Sequence, residues 1–594
     1  MNIKDKIMAL RSLMSQKGID LYYIPTDDDH MSEYIADHYK CRSYMSGFTG
    51  SAGVLVVGAK EAGLWTDGRY FTQAEKQLKN SGIKLFKMGM AKVPTVFEYL
   101  VTNCPHNGTI GFDGTVVNAK VKNELASKLA SKHGKIKADE DLVDMIWEDR
   151  PSMPNSLAFI LDDKYIGLSI TKKIAKVRQD IKDEDCDALV VTSLEDVAWL
   201  FNLRGDDVLH TPVNYAYALV CKKEVNLYID GQKISDDVLN KLKKANVNIK
   251  DYVAIAGDLK LLNDKKVMVD SSKLNAYLYD QISGTIIDKV NPIVRYRAIK
   301  NNVEIKNTKN AHIKDGVAMT KFIYWLKSNV GKIELDEISV QDKLYALRQE
   351  NKGYIEPSFS TICAYKGNAA MMHYSANANS NAKLDNSGFL LVDSGGTYYE
   401  GTTDITRTIC LGKVSDKERF YYTTVLRAML NLMGAKFLHG TTGANLDILA
   451  RGICWEHDID YQCGTGHGVG HVLSVHEGPH NIRWGQGVAA TVALEEGMIV
   501  TDEPGIYIPD VIGIRIENEL LVTKGTNNEY GQFLHFEPLT FCPIDMDALD
   551  VSLMNDREIN LLNEYHELVY KTIAPYLDEE HKVWLKTQTR KVVR

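Results

Sequence analysis

An internal repeat constrains this chain more than any other feature. Ile3, Ile7, Leu10 and Met14 are spaced as one face of an amphipathic helix. The same face returns 167 residues later as Ile170, Ile174, Val177 and Ile181. Each helix runs into an acid and an apolar strand. The first is Asp20 with Leu21-Tyr22-Tyr23-Ile24, and the second, at the same shift, is Asp187 with Ala188-Leu189-Val190-Val191. Later segments correspond only after a gap of about a dozen residues. Any two helix–strand units share some pattern, but four apolar positions plus the acid in register favour a duplicated α/β module. At 594 residues the chain exceeds one ordinary core, and about three or four domains are expected.

The first module is expected over 1–153 and the second over 154–294. The break falls in RPSMPN, which carries Pro151 and Pro154, and the second module ends near Asn291-Pro292. The remainder, 295–594, forms the third and longest domain. It opens on VRYRAIKNNVEIKNTKNAHIKDGVAM, which reads as a long surface helix from its charge and its helical apolar spacing. Short β runs such as Phe389–Val392 and Met498–Thr501 then alternate with helices. Ser415 and Glu418 form a capping box for a helix ending near Gly440, and Asn445 caps another through Trp455. The tail from about Asp545 reads as an amphipathic helix. The fold class expected is α/β (α+β).

Composition narrows the function. Apolar residues make up 44% and charged residues 25%, as in a soluble globular protein. A net charge of −8 with no basic run gives no reason to expect nucleic acid. Apolar stretches such as Gly388–Val392 fall far short of a membrane span, and the N-terminus lacks a signal-peptide core, so no membrane is expected. Nine cysteines without a CxxC pair fit a reducing cytoplasm.

Chemistry gathers in four segments. In DSGGTYYEGTTDITRT, two strand-like runs flank Tyr398–Thr402, so a hairpin can bring Asp393 and Asp404 together. Two carboxylates forced together repel unless a proton or cation lies between them. Most such pairs are solvated surface, and alone the pair decides nothing. GTGHGVGHVLSVHEGP crowds His467, His471 and His476 among glycines that let the backbone pass close to something. A lone histidine in such a loop is more often a hydrogen-bonding residue than a ligand, and three in one loop raise the ligand reading without making it the commoner one. Glu503 precedes Pro504-Gly505 in TDEPGIY. In GIRIENEL, Arg515 and Glu517 share one face of a strand whose other face carries Ile514 and Ile516. An inward arginine and carboxylate need partners, which an internal salt bridge would supply equally well. Taken together, four carboxylates and one imidazole suit Mn²⁺ or Co²⁺ better than a thiol-type Zn²⁺ site. Four negative charges match two divalent cations. A hydroxide bridging such a pair is chemistry for hydrolysing an amide.

The order Asp393, Asp404, His467, Glu503, Glu517, with GTGHGVG, VHEGP, TDEPG and IRIENE around it, resembles the pita-bread metallopeptidases. The three-part layout resembles aminopeptidase P of the long cytosolic type, and SGFTGSAGVLVV and LWTDGRYF resemble its first domain. The resemblance implies two creatinase-like α/β domains before a pita-bread catalytic domain. It also implies two divalent ions per subunit, with Mn²⁺ first and Co²⁺ or Zn²⁺ as alternatives. Asp404 and Glu517 would bridge both ions, Asp393 would bind one, and His467 and Glu503 the other. Glu503 would act as base, while His373 and His476 would contact the peptide. Arg515 would brace the carboxylates and count with His373 and His476 among the substrate-binding residues. The reaction implied is removal of the first residue from peptides with proline second, by a cytoplasmic homodimer. Alternatives are a prolidase-type Xaa-Pro dipeptidase and a non-catalytic peptide-binding protein. Two further expectations concern neighbours of the site. Cys463 stands where many relatives have histidine, a loss for which His471 could partly substitute. Tyr507 is a candidate for the proline pocket, with a plain core role equally open.

Overall fold

A computed structural model of the chain describes residues 1–594 except Asn379 and Gln486, and except the side chain of Val488. The repeat is visible as two six-stranded sheets of one topology. In spatial order the first contains Lys84–Lys87, Ala62–Thr66, Val54–Gly58, Leu21–Ile24, Thr109–Gly111 and Lys135–Lys137. The second contains Asn248–Lys250, Val225–Ile229, Ala216–Cys221, Ala188–Val191, Lys266–Val269 and Thr285–Asp288. Directions match strand for strand. Each sheet has one parallel pair, then two antiparallel pairs, then two parallel pairs. The leading helices are Ile3–Lys17 and Ile170–Asp183. Ile7, Leu10 and Met14 of the first are buried, as are Ile170, Ile174, Val177 and Ile181 of the second.

The chain divides into two compact units. Residues 1–161 and 168–293 form one, and Asp162–Gly167 together with Val294–Arg594 form the other. Asp162–Gly167 is a strap of the second unit. The Tyr165 ring stacks on Tyr399 at 5.8 Å, and its carbonyl accepts a hydrogen bond from His471 Nε2 at 2.9 Å. Asn301 Nδ2 donates to the carbonyl of Ile166 at 2.9 Å.

The second unit has the pita-bread arrangement of small antiparallel sheets backed by helices. A sheet of Ile362–Tyr365, Phe389–Ser394 and Ile405–Cys410 lies beside a four-stranded sheet. The latter runs Lys436–Leu438, Gly531–Pro538, Asn518–Asn528 and Ile499–Asp502. Ile506, Ile512, Ile514 and Ile516 enter the main core with Val425, Met429 and Leu562.

Four local expectations change. The opening helix spans Asn302–Asn329 and is not a surface helix: Thr308, Ala311, His312, Asp315, Met319, Phe322 and Leu326 are buried. Its inward Asp315 is paired. Asp315 accepts from Arg348 Nε at 2.7 Å and from Tyr398 Oη at 2.8 Å. The Ser415 capping box forms as expected, but the helix ends at Met433 before Gly434. A side chain at Gly434 would collide with Leu561. The next helix, Gly443–Trp455, starts from Thr442, and Asn445 is the third helical residue that reaches back to it. Helix in the tail begins at Asp556 rather than about Asp545.

Candidate metal centre

Asp393 lies near the end of Phe389–Ser394, opposite Thr406 of Ile405–Cys410. Asp404 lies just before that second strand, so the hairpin does set the two acids at one end of a ladder. Along Ile405–Cys410, Ile405 and Ile409 face the core, and Thr406 and Thr408 face the other way. Thr406 Oγ1 donates to Glu517 Oε2 at 2.7 Å and receives Arg515 Nε at 3.1 Å. The backbone N–H of Glu517 donates to the carbonyl of Thr406 at 3.1 Å. Arg515 also donates Nη2 to Asp393 Oδ2 and Nη1 to Tyr507 Oη, each at 2.5 Å.

The glycine-rich loop reaches the same place by backbone contact. A Cβ on Gly466 would sit 1.9 Å from the Thr501 carbonyl oxygen, and one on Gly468 would sit 2.1 Å from that of Glu477. The something that the backbone passes is therefore backbone. His467 N–H donates to Thr501 Oγ1 at 3.1 Å, and His467 Nδ1 lies 3.0 Å from the Gly468 carbonyl. A carbonyl partner requires the proton on Nδ1, which leaves Nε2 as the lone-pair nitrogen. That Nε2 lies 3.4 Å from Asp404 Oδ2 and 3.5 Å from Glu503 Oε1. Ligand atoms of Asp404, His467 and Glu517 all lie within 4.8 Å of one another.

The electrostatics of the cluster fit a cation. Burial, then Asp393 and Glu503, raise the carboxyl of Asp404 well above its ordinary range. Burial, then Asp404 and Glu503, do the same to Glu517. Asp393 Oδ1 and Asp404 Oδ1 are buried without a hydrogen-bond donor among the described residues. Buried carboxylate oxygens are costly unless something positive meets them. The donor set is one imidazole and four carboxylates, which suits hard or borderline divalent ions.

The remaining predicted residues fall around this cluster. The rings of His467 and His476 meet edge to face at 4.3 Å. His373 is half-buried, just beyond the turn Lys366–Ala370. That turn touches the strand bearing Arg515: a Cβ on Gly513 would lie 1.8 Å from the Ala369 carbonyl oxygen. Cys463 is half-buried beside the main core, and burial and the neighbouring Glu503 push its thiol up to about 12. His471 does not take the place of the histidine that Cys463 replaces. Its Nε2 is spent on Tyr165 and its Nδ1 lies 3.1 Å from Thr308 Oγ1, so it holds the strap and the long helix. Tyr507 spends its hydroxyl on Arg515.

Some supports had no sequence signal. Glu477 forms a buried ion pair with Arg297 Nη1 at 2.8 Å and another with Lys300. Its backbone N–H donates to the Gly468 carbonyl at 2.7 Å. Arg451 donates to Asp447, Asp460 and the Tyr461 carbonyl. Asp447 in turn accepts from Thr465 Oγ1 at 2.5 Å, and the Thr465 carbonyl accepts from Glu503 N–H at 2.8 Å. Arg297 and Lys300 lie far from Glu477 in sequence, and only the folded chain reveals that pairing.

Comparison with known proteins agrees with this geometry. The model of metallopeptidase family M24 matches residues 306–524, and that of its C-terminal region matches 532–592. Creatinase/prolidase N-terminal domain models match 6–146 and 149–304. Aminopeptidase P2 of Arabidopsis thaliana is 38% identical, over 100% of this chain and 89% of its own length. The chain belongs to the aminopeptidase P branch of metallopeptidase family M24. Among its aminopeptidase P relatives, the probable Xaa-Pro aminopeptidase P of Laccaria bicolor is 39% identical over 99% of this chain and 93% of its own length. The crystal structure of X-prolyl aminopeptidase from Caenorhabditis elegans is 33% identical and superposes with a TM-score of 0.95 over 100% of both chains. That protein is described as a cytosolic enzyme with a di-nuclear active site.

Proposed function

We propose that this chain is a two-metal Xaa-Pro aminopeptidase, releasing the first residue from peptides whose second residue is proline. The observation that carries the reading is the convergence of Asp404, His467 and Glu517, with buried, donor-less oxygens on Asp393 and Asp404 beside them. Asp404, Glu517, Asp393, His467 and Glu503 would hold the two cations, with Asp404 and Glu517 shared between them, Asp393 serving one and His467 with Glu503 the other. Divalent cations held there supply Lewis acidity and lower the pKa of a water. Mn²⁺ is the first choice, with Co²⁺ and Zn²⁺ as alternatives.

Glu503, the most exposed of the carboxylates, accepts a proton from the attacking water and passes it to the leaving imino nitrogen. His373 contacts the amide under attack, and His476 holds the residue after the cleaved bond. Arg515 spends its donors on Thr406, Asp393 and Tyr507, so it braces the carboxylates and leaves the peptide to others. An Xaa-Pro amide lacks the N–H that ordinary peptidases grip, and a pocket that accepts the ring replaces that contact.

No helix among the described residues is long and apolar enough to cross a membrane. The family resemblance supports a cytoplasmic homodimer, the free cysteines fit a reducing compartment, and a single-chain mass by light scattering at micromolar concentration would refute the dimer.

The experiment is hydrolysis of a short Xaa-Pro-Xaa peptide, with and without Mn²⁺ and a chelator, beside an Xaa-Pro dipeptide. Cleavage of the longer peptide that fails on chelation and returns with Mn²⁺ is expected. Activity confined to the dipeptide would make the chain a prolidase. A site that Mn²⁺ does not fill would favour the peptide-binding alternative.

A further inference from the structure

The proposed reaction uses neither His312 nor Glu519, although both are enclosed beside Asp404. His312 is 2% exposed on the inward face of the helix Asn302–Asn329. Glu519, in the strand Asn518–Asn528, has no exposed surface. An acid and a histidine buried together lose hydration that their attraction offsets only if their remaining polar atoms are also engaged.

Here Glu519 is engaged on the backbone of the site. Glu519 Oε1 accepts the Asp404 backbone N–H at 2.6 Å. Glu519 Oε2 lies 3.1 Å from His312 Nε2, within ion-pair distance, and neither atom has a hydrogen-bond partner among the described residues. The backbone of Glu519 is itself fixed. Its N–H donates to Thr540 Oγ1 at 2.8 Å, its carbonyl accepts Leu539 N–H at 2.8 Å, and it stands opposite Thr501 in the sheet.

The contact to Asp404 has a structural cause. The ladder between Phe389–Ser394 and Ile405–Cys410 ends at the pair Ser394 and Ile405. Asp404 is the next residue outward, so its amide has no strand partner and needs another acceptor. Glu519 supplies one from the neighbouring sheet. It also stands two residues after Glu517, in the strand that begins at Asn518. One side chain thereby ties the backbone of one candidate bridging ligand to the strand that starts directly after the other.

We infer that Glu519, anchored by His312, is a positioning residue that fixes the spacing of Asp404 and Glu517 for cation binding. This rests on the two-metal reading above. It assigns Glu519 no contact with cation or peptide, and it needs an acceptor at that position more than a charge.

The test is titration of the metal-free full chain with Co²⁺, followed by calorimetry and by the visible absorption of the bound ion. Glu519→Leu removes the acceptor at similar volume. It is expected to weaken Co²⁺ binding by about tenfold or more and to change the absorption band, with far-UV circular dichroism unchanged. Glu519→Gln keeps an amide oxygen for the Asp404 N–H and is expected to restore nearly wild-type affinity and spectrum. His312→Asn, which removes the anchor, should fall between the two. A folded Glu519→Leu protein with wild-type affinity and spectrum would overturn the inference while leaving the two-metal reading intact. If Glu519→Leu does not fold, the other variants decide. Loss in Glu519→Gln with none in His312→Asn would overturn the inference, and the reverse order supports it. A wild-type chain that binds no Co²⁺ would overturn the reading and the inference together.

Discussion

Arg515 shows how much of the site one side chain can govern. It is 3% exposed and donates to Asp393, Tyr507 and Thr406, so removing it strands a carboxylate and a phenol at once. Breaking a buried charge pair from one side costs about 3–5 kcal/mol. Arg515→Met is expected to lose on that order in urea unfolding, together with most peptidase activity. Arg515→Lys should not rescue it, because a single ammonium cannot span Asp393 and Tyr507 as a planar fork does. Equal stability of Arg515→Lys and wild type would refute the bracing role. Cys463 invites the opposite experiment. Its neutral thiol beside Glu503 offers the substrate no strong hydrogen bond. Cys463→His is expected to change kcat/KM on Xaa-Pro peptides while leaving cation affinity alone, and an unchanged kcat/KM would make the cysteine mere packing. At this scale the sequence was legible where chemistry is dense. Asp393, Asp404, His467, Glu503 and Glu517 stand in motifs of charge and glycine. Glu477, Thr406 and Glu519 were not legible, because each acts through a partner far away in the chain.

At the scale of elements, the periodic segments were the readable ones. The two leading helices and the strands after them follow directly from apolar spacing, since period and burial are one geometric fact. The long helix was misplaced at the surface because charge was equated with water. His312 and Asp315 instead face inward, where Glu519 and Arg348 meet them. A similar inward polar group carries a pH prediction. His566, on the helix Asp556–Ile573, accepts the Ile544 N–H on Nε2 at 3.2 Å. Burial, with Arg407 nearby, lowers its pKa to about 3, against about 6.5 in an unfolded chain. Between those values the unfolded state binds the extra proton, so stability falls as pH drops from about 6.5 towards 3. His566→Gln keeps an acceptor and has nothing to protonate. Between pH 7 and pH 5 it should lose about 2 kcal/mol less than wild type in urea unfolding. Identical pH dependence in the two proteins would count against the neutral, buried imidazole.

For the whole molecule, two compact units and one cluster of mutually repelling carboxylates suggest separable responses to chelation. Cations that bind only the folded site stabilise it by about 2.7 kcal/mol at a hundred times their dissociation constant. Scanning calorimetry should show one transition lowered by a few degrees on adding EDTA and restored by Mn²⁺, with the other unmoved. Chelation that shifted both equally, or neither, would be inconsistent with a cation site confined to residues 294–594 and their strap. Overall layout was legible because a repeat and a motif set occupy different halves of the chain. The strap was not, since nothing in DDKYIG marks it as belonging with residues that follow more than a hundred positions later. That strap limits how this architecture can be inherited or recombined. A gene cut between residues 293 and 294 would separate the candidate peptidase from six residues that it needs: His471 would lose the Tyr165 carbonyl, and Asn301 that of Ile166. The peptidase unit is a module in space but not in the gene, so shuffling it intact requires carrying along the sequence in which its strap is embedded.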